Sequence, residues 1–185
     1  LTAAQVANGG PIEFLCDLLS GPNTAEVCCP IHVAGRRAAE AGDFVIADVV
    51  VRASNGYWGD SAETHSAGPS DELASVRGTL LEILRVAGTR LVPGATGADV
   101  FAEMNDAILA AFPGGEFPHH GGHALGLTSF EDPHVIPGDT TPFEEGMVIA
   151  IEPGVYFPGR YGARVENVFL VTPSGGVELR QAVPA

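Results

Sequence analysis

The sequence predicts an α+β domain in which a mostly antiparallel sheet carries helices on one face. Apolar, β-branched residues at 44–52 and a second extended segment at 57–65 flank the turn-forming sequence Ser-Asn-Gly at 54–56, which is the pattern of a β-hairpin. Two helical patterns follow, and the apolar segments 147–157 and 163–172 then predict further strands. Because hairpin, helices and strands occur in separate blocks, a packed α+β sheet is favoured over a parallel one.

The two predicted central helices begin at residues that can cap them. Ser70 and Thr96 each precede a segment whose apolar residues recur at helical spacing, and their hydroxyls can accept a hydrogen bond from the first turn. Nearer the N-terminus, residues 3–19 also predict a helix, with a break at Gly-Gly-Pro, 9–11, and a loop SGPNTAEVCCP after it. The apolar stripes of the central helices predict core positions: Leu73, Val76, Leu80, Leu81 and Leu84, then Val100, Phe101, Met104, Ile108 and Phe112.

Composition restricts the class of protein. The 185 residues are enough for one domain with its own core, 45% are hydrophobic, and no apolar run approaches the roughly 20 residues of a membrane span, so we expect a soluble chain. A net charge of −14 argues against a nucleic-acid partner. Cys16, Cys28 and Cys29 fit neither a metal-ligand spacing nor a disulfide framework, which favours a cytoplasmic setting, and no signal peptide precedes them.

Two aspartates in the predicted hairpin suggest a functional site. Asp48 lies within an apolar strand, where a buried carboxylate is unfavourable unless a positive group compensates it. With a two-residue loop, Asp60 on the return strand would point to the opposite face. With a three-residue loop, 54–56, Asp48 faces Ala62 and Asp60 lies on the same face. We therefore predict this loop, or an equivalent bulge, with Gly56 in its left-handed position.

Glu152 and Glu166 repeat this pattern, since each is an acid in an apolar segment. His123 follows two glycines, whose lack of side chains lets the backbone approach a ligand. If the four acids converge, they carry four negative charges, which two divalent cations would neutralise. Carboxylate and imidazole ligands together predict a dinuclear site for Mn, Co, Fe or Zn that activates a water for hydrolysis.

With their surrounding sequences, these five residues resemble the pita-bread metallopeptidases: methionine aminopeptidases, Xaa-Pro aminopeptidases and prolidases. The matching phrases are GDFVIADVVV, GYWGD, GGHALGL, FEDP, GMVIAIEPGVY and GARVENVFLVT, and they span nearly the whole chain. IEPGVY followed by RVEN is more similar to the Xaa-Pro and prolidase branch, as is SGPNTA upstream. The resemblance implies a pita-bread fold with a curved sheet and outer helices, one catalytic domain at 1–185 that is the C-terminal part of a longer chain, and a homodimer.

The resemblance also assigns roles to the five residues. It implies that Asp48 chelates one metal, that Asp60 and Glu166 bridge two metals, and that His123 and Glu152 hold the other. Two ions, most simply Mn or Co, would lower the pKa of a bridging water, and the resulting hydroxide would attack the Xaa-Pro bond of a short peptide. Glu152 would also act as proton shuttle to the leaving nitrogen.

Four further residues are implied at the substrate side or behind the ligands. Arg164 matches the arginine of the family's RxE phrase and would orient Glu166, or it is a surface arginine of an alternating strand. His32, in PIHVAG, lies near the family's substrate-side histidine, or it is a loop histidine. His120 and Phe130 are further candidates for the substrate side or for positions behind the ligands.

Phe130 is a departure from the family. In catalytic members the residue seven positions after the ligand histidine is a second histidine, which hydrogen-bonds the substrate carbonyl or the oxyanion, and losing such a donor typically reduces turnover about a hundredfold. His119, His120 and His134 are candidate substitutes, and Phe130 itself could instead shape an apolar pocket. The alternatives to an Xaa-Pro peptidase are therefore a pita-bread pseudoenzyme that binds a peptide without cleaving it, or a hydrolase of a non-peptide substrate.

Overall fold

The computed structural model describes residues 13–26 and 37–179. Within these ranges, ten strands and two α-helices form an α+β fold, as predicted. In chain order the elements are β1 (Glu13–Ser20), a 3-10 helix (Gly21–Ala25), β2 (Phe44–Arg52), β3 (Trp58–Ser66), α1 (Asp71–Thr89), α2 (Gly97–Ala111), β4 (Gly122–Ala124), β5 (Glu131–His134), β6 (Val148–Ile151), β7 (Gly154–Phe157), β8 (Tyr161–Arg164), β9 (Asn167–Leu170) and β10 (Val177–Glu178).

The strands of the described residues form three antiparallel sheets. One sheet has the order β1-β2-β3, a second has the order β10-β9-β6-β4-β5, and β7 and β8 form a two-stranded ribbon. The first two sheets are joined where the backbone N–H of Glu166 donates to the carbonyl of Ala62 on β3 at 2.8 Å. The polar residues of β3 therefore lie beside those that follow β8.

The β2–β3 hairpin has the predicted three-residue loop. Ala53 and Tyr57 close it through a 2.8 Å hydrogen bond, which leaves residues 54–56 as the loop, and Gly56 has a φ of +92°. Asp48 pairs with Ala62 in the register, and Asp60 pairs with Val50 two residues away. The two aspartates are therefore diagonal neighbours on one face.

The predicted helix at 3–19 is wrong over the part that the structure describes. Residues 13–20 form β1, whose eight residues pair with β2 from Glu13 opposite Arg52 to Ser20 opposite Val45. A short apolar segment does not distinguish helix from strand by periodicity, and the free edge of β2 decides in favour of the strand. Residues 3–12 of that prediction lie outside the described residues, as do Cys28 and Cys29.

The two long C-terminal strands predicted at 147–157 and 163–172 are each divided in two. β6 ends at Ile151 and β7 begins at Gly154, so Glu152 and Pro153 lie between them. β8 ends at Arg164 and β9 begins at Asn167, so Glu166 lies at a second junction. Proline cannot donate to a strand ladder, which favours the first break. The two glutamates thus lie at strand junctions and not within strands.

The two α-helices form as predicted and pack on the sheet. The hydroxyl of Ser70 accepts from the N–H of Leu73 at 3.1 Å, and that of Thr96 accepts from the N–H of Asp99 at 3.3 Å, so both predicted caps are present. No helix in the described ranges is both long and apolar enough to cross a bilayer. The buried faces of the helices join strand residues in one core that includes Leu80, Leu84, Met104, Ile108, Ile149, Ile151 and Phe169.

Side chains alternate between the two faces of a strand, so the core residues and the polar residues lie on opposite faces of the sheet. Ile149 and Ile151 of β6 belong to the core with the helices, and Glu152 therefore continues the opposite face. On β9, Phe169 packs so close to α1 that a Cβ added at Gly88 would lie 2.7 Å from its ring. The helices thus cover one face of the sheet and leave the other to the candidate site.

A glycine-to-alanine pair tests the contact of α2 with β5. A Cβ at Gly97 would lie 1.9 Å from the carbonyl oxygen of His134, so we expect Gly97→Ala to lower the free energy of unfolding by about 1–3 kcal/mol. Gly78→Ala is the control, because Gly78 is exposed in α1 with nothing within 4 Å of its added Cβ, and it should stabilise by about 0.5–1 kcal/mol. Urea unfolding of both variants measures this difference, and equal midpoints would contradict the packing of Gly97.

Candidate metal centre

Three of the predicted ligands form a compact cluster. One ligand atom from each of Asp60, His123 and Glu166 lies within 4.8 Å of the others, and all three residues are buried. Within the cluster, His123 Nε2 lies 3.5 Å from Asp60 Oδ2. The other oxygen of Asp60, Oδ1, is buried and has no hydrogen-bond partner. Such an arrangement of oxygen and nitrogen donors can hold a divalent cation.

Local hydrogen bonding orients the His123 ring toward this cluster. Its Nδ1–H donates to the carbonyl of Ala124 at 2.9 Å, so in the neutral ring Nε2 carries the lone pair that faces Asp60. Burial lowers the pKa of His123, but hydrogen bonds to Asp60 and Ala124 raise it overall. A cation at Nε2 would therefore replace a proton.

The glycine pair before His123 is explained by close packing. Gly122 has a φ of +150°, and an added Cβ would lie 2.0 Å from the carbonyl oxygen of Ala150 on β6. A Cβ on Gly121 would lie 2.3 Å from Cε of Met104 in α2. A side chain at Gly122 would push β4 away from the backbone of β6, whereas one at Gly121 would first displace the end of the Met104 side chain. Gly122 therefore fixes the position of His123 against the sheet.

Asp48 and Glu152 interact with this cluster electrostatically. Burial raises the pKa of Asp48 to about 6, with Arg164 opposing and the charges of Asp60 and Glu152 adding to the rise. Burial also raises the pKa of Glu166 well above its ordinary value, and the charges of Glu152, Asp60 and Asp48 raise it further. The carboxylates are thus close enough to disfavour one another's ionisation.

Arg164 is the charge partner of Asp48. Its buried guanidinium donates from Nη2 to Asp48 Oδ2 and from Nη1 to the hydroxyl of Tyr156 at 3.1 Å. These hydrogen bonds go to Asp48 and Tyr156, whereas the sequence predicts a contact that orients Glu166. The backbone of Arg164 is held by Thr64, whose hydroxyl donates to its carbonyl and accepts from its N–H, both at 2.8 Å.

The network continues from Tyr156 to a buried imidazole. The Tyr156 hydroxyl lies 3.0 Å from His119 Nε2, and His119 Nδ1–H donates to the carbonyl of His120 at 2.6 Å. Burial lowers the pKa of His119 to about 4, so the ring is neutral at neutral pH. The sequence analysis did not identify Tyr156 as a site residue, although Tyr156 follows Glu152 by four residues in the matching phrase IEPGVY.

Glu152 lies beside two histidines. Its Oε1 is 2.9 Å from His120 Nε2, and its Oε2 is 3.8 Å from His119 Nδ1. Burial raises the pKa of Glu152, but the hydrogen bond with His120 and the charges of His120, His119 and Arg164 outweigh burial and lower it to about 2. Glu152 is therefore a carboxylate at neutral pH.

Phe130 and His120 line the open side of the cluster. The Phe130 ring lies 4.0 Å from the His123 ring, centroid to centroid, at an interplanar angle of 25°, and the residue is 50% exposed. The His120 ring is nearly parallel to both, at 5.4 Å from His123 and 5.7 Å from Phe130. His32, the other predicted substrate-side residue, lies outside the described residues.

A cavity of about 430 Å³ opens beside Asp60. Apolar and aromatic side chains from the hairpin and the second sheet form much of its wall, including Tyr57, Trp58, Leu125 and Val148. Such a space next to a candidate metal cluster can accommodate a small apolar group.

Comparison with known proteins identifies the family. The model of metallopeptidase family M24 matches residues 3–173. A relative from Mycobacterium tuberculosis, named probable dipeptidase PepE, is 36% identical over 180 residues, which are 97% of this chain and 47% of the relative. The chain thus spans about half the length of the curated relatives that it matches.

Solved structures give the same result for the fold. Dipeptidase PepE from Mycobacterium ulcerans superposes with a TM-score of 0.79 at 35% identity, over 93% of this chain and 46% of that one. Prolidase from Pyrococcus furiosus superposes with a TM-score of 0.80 at 31% identity, over 91% of this chain and 49% of that one. These similarities confirm the predicted pita-bread fold. The chain belongs to metallopeptidase family M24.

Proposed function

We propose that this chain is a dinuclear metal-dependent dipeptidase that hydrolyses the Xaa-Pro bond of short peptides. The observation that carries the proposal is the convergence of Asp60, His123 and Glu166 in one buried cluster, with Asp48 and Glu152 beside it. Because the chain spans about half the length of its relatives, the activity of the whole protein is part of the proposal.

The donor set fits a pair of divalent cations. Among the described residues, four carboxylates meet one guanidinium, that of Arg164, which is hydrogen-bonded to Asp48. Imidazoles lie beside Asp60 and Glu152, and they can also bind a cation. The buried Oδ1 of Asp60 without a hydrogen bond points to a missing positive ligand, since buried carboxylate oxygens are otherwise satisfied. Two divalent ions would balance four carboxylates, and the oxygen and nitrogen donors suit Mn or Co.

Each residue has a distinct task in this proposal. Asp48, Asp60, His123, Glu152 and Glu166 would hold the cations, which when bound supply Lewis acidity toward a water and a carbonyl oxygen. Glu152, ionised at neutral pH, would take a proton from the attacking water and pass it to the leaving nitrogen. Arg164 and Tyr156 would hold Asp48 in position.

The relatives and the cavity support a short peptide substrate. The similar proteins carry the names probable dipeptidase and prolidase, and an Xaa-Pro dipeptidase from Pyrococcus furiosus is 33% identical over 151 residues. The cavity beside Asp60, walled by Tyr57, Trp58 and Leu125, supports an apolar group such as a proline ring. The pseudoenzyme alternative is weaker, because a binding protein gains nothing from four mutually repelling acids.

Metal content and turnover test the proposal together. After loading with Mn or Co, we expect about two ions per chain by elemental analysis and hydrolysis of Ala-Pro. Glu166→Gln should reduce both, with turnover falling more than about a hundredfold, because Glu166 belongs to the buried cluster. Glu63→Gln is the control: Glu63 lies on the same strand as Asp60 but on its opposite face, and its carboxylate binds Arg77 at 2.8 Å, so the metal content of this variant should equal that of the parent. Bound metal without hydrolysis of any Xaa-Pro dipeptide would refute the peptidase proposal.

The burial of Asp48 near other carboxylates predicts a pH dependence in metal-free protein. Since the pKa of Asp48 is raised from 3.8 to about 6, its contribution to stability is complete below pH 3.8 and is lost as the pH rises through 6. Asp48→Asn lacks this titration. In EDTA, we expect the stability of Asp48→Asn relative to the parent to increase by about 1–2 kcal/mol between pH 5 and pH 7, measured by urea unfolding.

Asp139→Asn is the control for this titration. Hydrogen bonds from the N–H groups of Thr141 and His134 lower the pKa of Asp139, so its contribution is complete above about pH 4. The stability of the Asp139→Asn variant relative to the parent should therefore stay constant between pH 5 and pH 7. A constant difference for Asp48→Asn as well would show that burial and the neighbouring carboxylates do not raise the pKa of Asp48.

A further inference from the structure

Hydrolysis of an amide needs a hydrogen-bond donor for the charge that develops on the carbonyl oxygen. At this site, several side-chain donors are committed to buried partners. Arg164 donates to Asp48 and Tyr156, and His119 donates to a backbone carbonyl. His123 donates through Nδ1 to a backbone carbonyl and faces the acid cluster through Nε2. Phe130, on the open side, has no donor.

His120 also hydrogen-bonds a buried group, the carboxylate of Glu152, but it differs from these residues in two ways. His120 is partly exposed, and its partner is a proposed metal ligand for which a bound cation would compete. Its side chain is 24% exposed, and its Nε2 lies 2.9 Å from Oε1 of Glu152, the carboxylate proposed to move the proton. We infer that His120 donates a hydrogen bond to the carbonyl oxygen of the scissile bond. This inference rests on the proposed function and names a substrate-contacting residue for it.

The aromatic neighbours hold the His120 ring in a fixed plane. It stacks on His123 at an interplanar angle of 14° and on Phe130 at 12°. These contacts, together with the 2.9 Å approach of Nε2 to Glu152, restrict the rotation of the side chain. Phe130 thus supports the side chain of His120, the proposed donor.

His134 fits the role less well. Its side chain is 30% exposed, but its Nε2 faces the exposed carboxylate of Asp132, whose Oδ1 lies 3.5 Å away. The Nε2 of His120 instead faces Glu152, the carboxylate proposed to move the proton.

Kinetics of His120 variants test the inference. In metal-loaded protein with Ala-Pro as substrate, His120→Ala should lower kcat about a hundredfold with KM and metal content nearly unchanged, because the lost hydrogen bond forms mainly in the transition state. His120→Gln retains a side-chain N–H and should recover part of that loss. His65→Ala, which removes an exposed histidine of β3, is the control and should match the parent.

A second substitution distinguishes hydrogen-bond donation by His120 from a purely structural role of this residue. Phe130 stands beside His120, so Phe130→His in the His120→Ala background offers a new imidazole next to the lost one. We expect at least about a tenfold recovery of kcat relative to His120→Ala alone. The same Phe130→His change in the parent is the reference, and it should raise kcat by a smaller factor because His120 already donates there. An equal factor in both backgrounds would contradict donation by His120.

Binding of a phosphinic analogue of Ala-Pro makes the result independent of turnover. Its tetrahedral oxygens resemble the oxyanion, so His120→Ala should weaken its binding about tenfold or more in calorimetry, whereas His65→Ala should not. Normal kcat and analogue affinity in His120→Ala, or a loss that follows lost metal, would overturn this inference and leave the proposed function intact. A parent chain that neither turns over Ala-Pro nor binds the analogue would overturn both.

Discussion

The repulsion among buried carboxylates is the constraint on which the rest of this structure depends. Among the described residues, Asp48, Asp60, Glu152 and Glu166 meet near one guanidinium, that of Arg164. Burial, reinforced by the charges of the neighbouring carboxylates, raises the pKa of Asp48 and of Glu166. Such a cluster is unfavourable unless cations occupy it. When no metal is bound, the packing of the core on the other face of the sheet must therefore offset the unfavourable free energy of this cluster.

The backbone meets this constraint by breaking its regular strands where the acids are needed. Glu152 and Glu166 lie at junctions between short strands, and the N–H of Glu166 donates to the carbonyl of Ala62 on the neighbouring sheet. A junction frees the side chain from strict alternation, so it can point at a cluster formed by residues of another sheet. Gly121 and Gly122 position His123, because they allow β4 to pack against β6 and α2 without side chains between them.

Membership of family M24 and the departures of this chain from it bear on different parts of the site. The fold follows the family, and the network from Asp48 through Arg164 to Tyr156 lies behind the proposed ligands. The departure is on the open side, where a phenylalanine stacks on His123 and on His120. The ligand side is thus polar and buried, whereas the substrate side combines an apolar ring with one partly exposed imidazole.

The sequence by itself determined the fold class, the hairpin loop at 54–56 and the five candidate ligands, because periodicity, turn chemistry and acids in apolar segments are local signals. Tertiary structure alone decided that residues 13–20 form a strand, since the edge of β2 needed a partner. It also decided where the C-terminal strands break, and that Arg164 binds Asp48, 116 residues away along the chain. Those outcomes depend on contacts between distant segments, which no local pattern encodes.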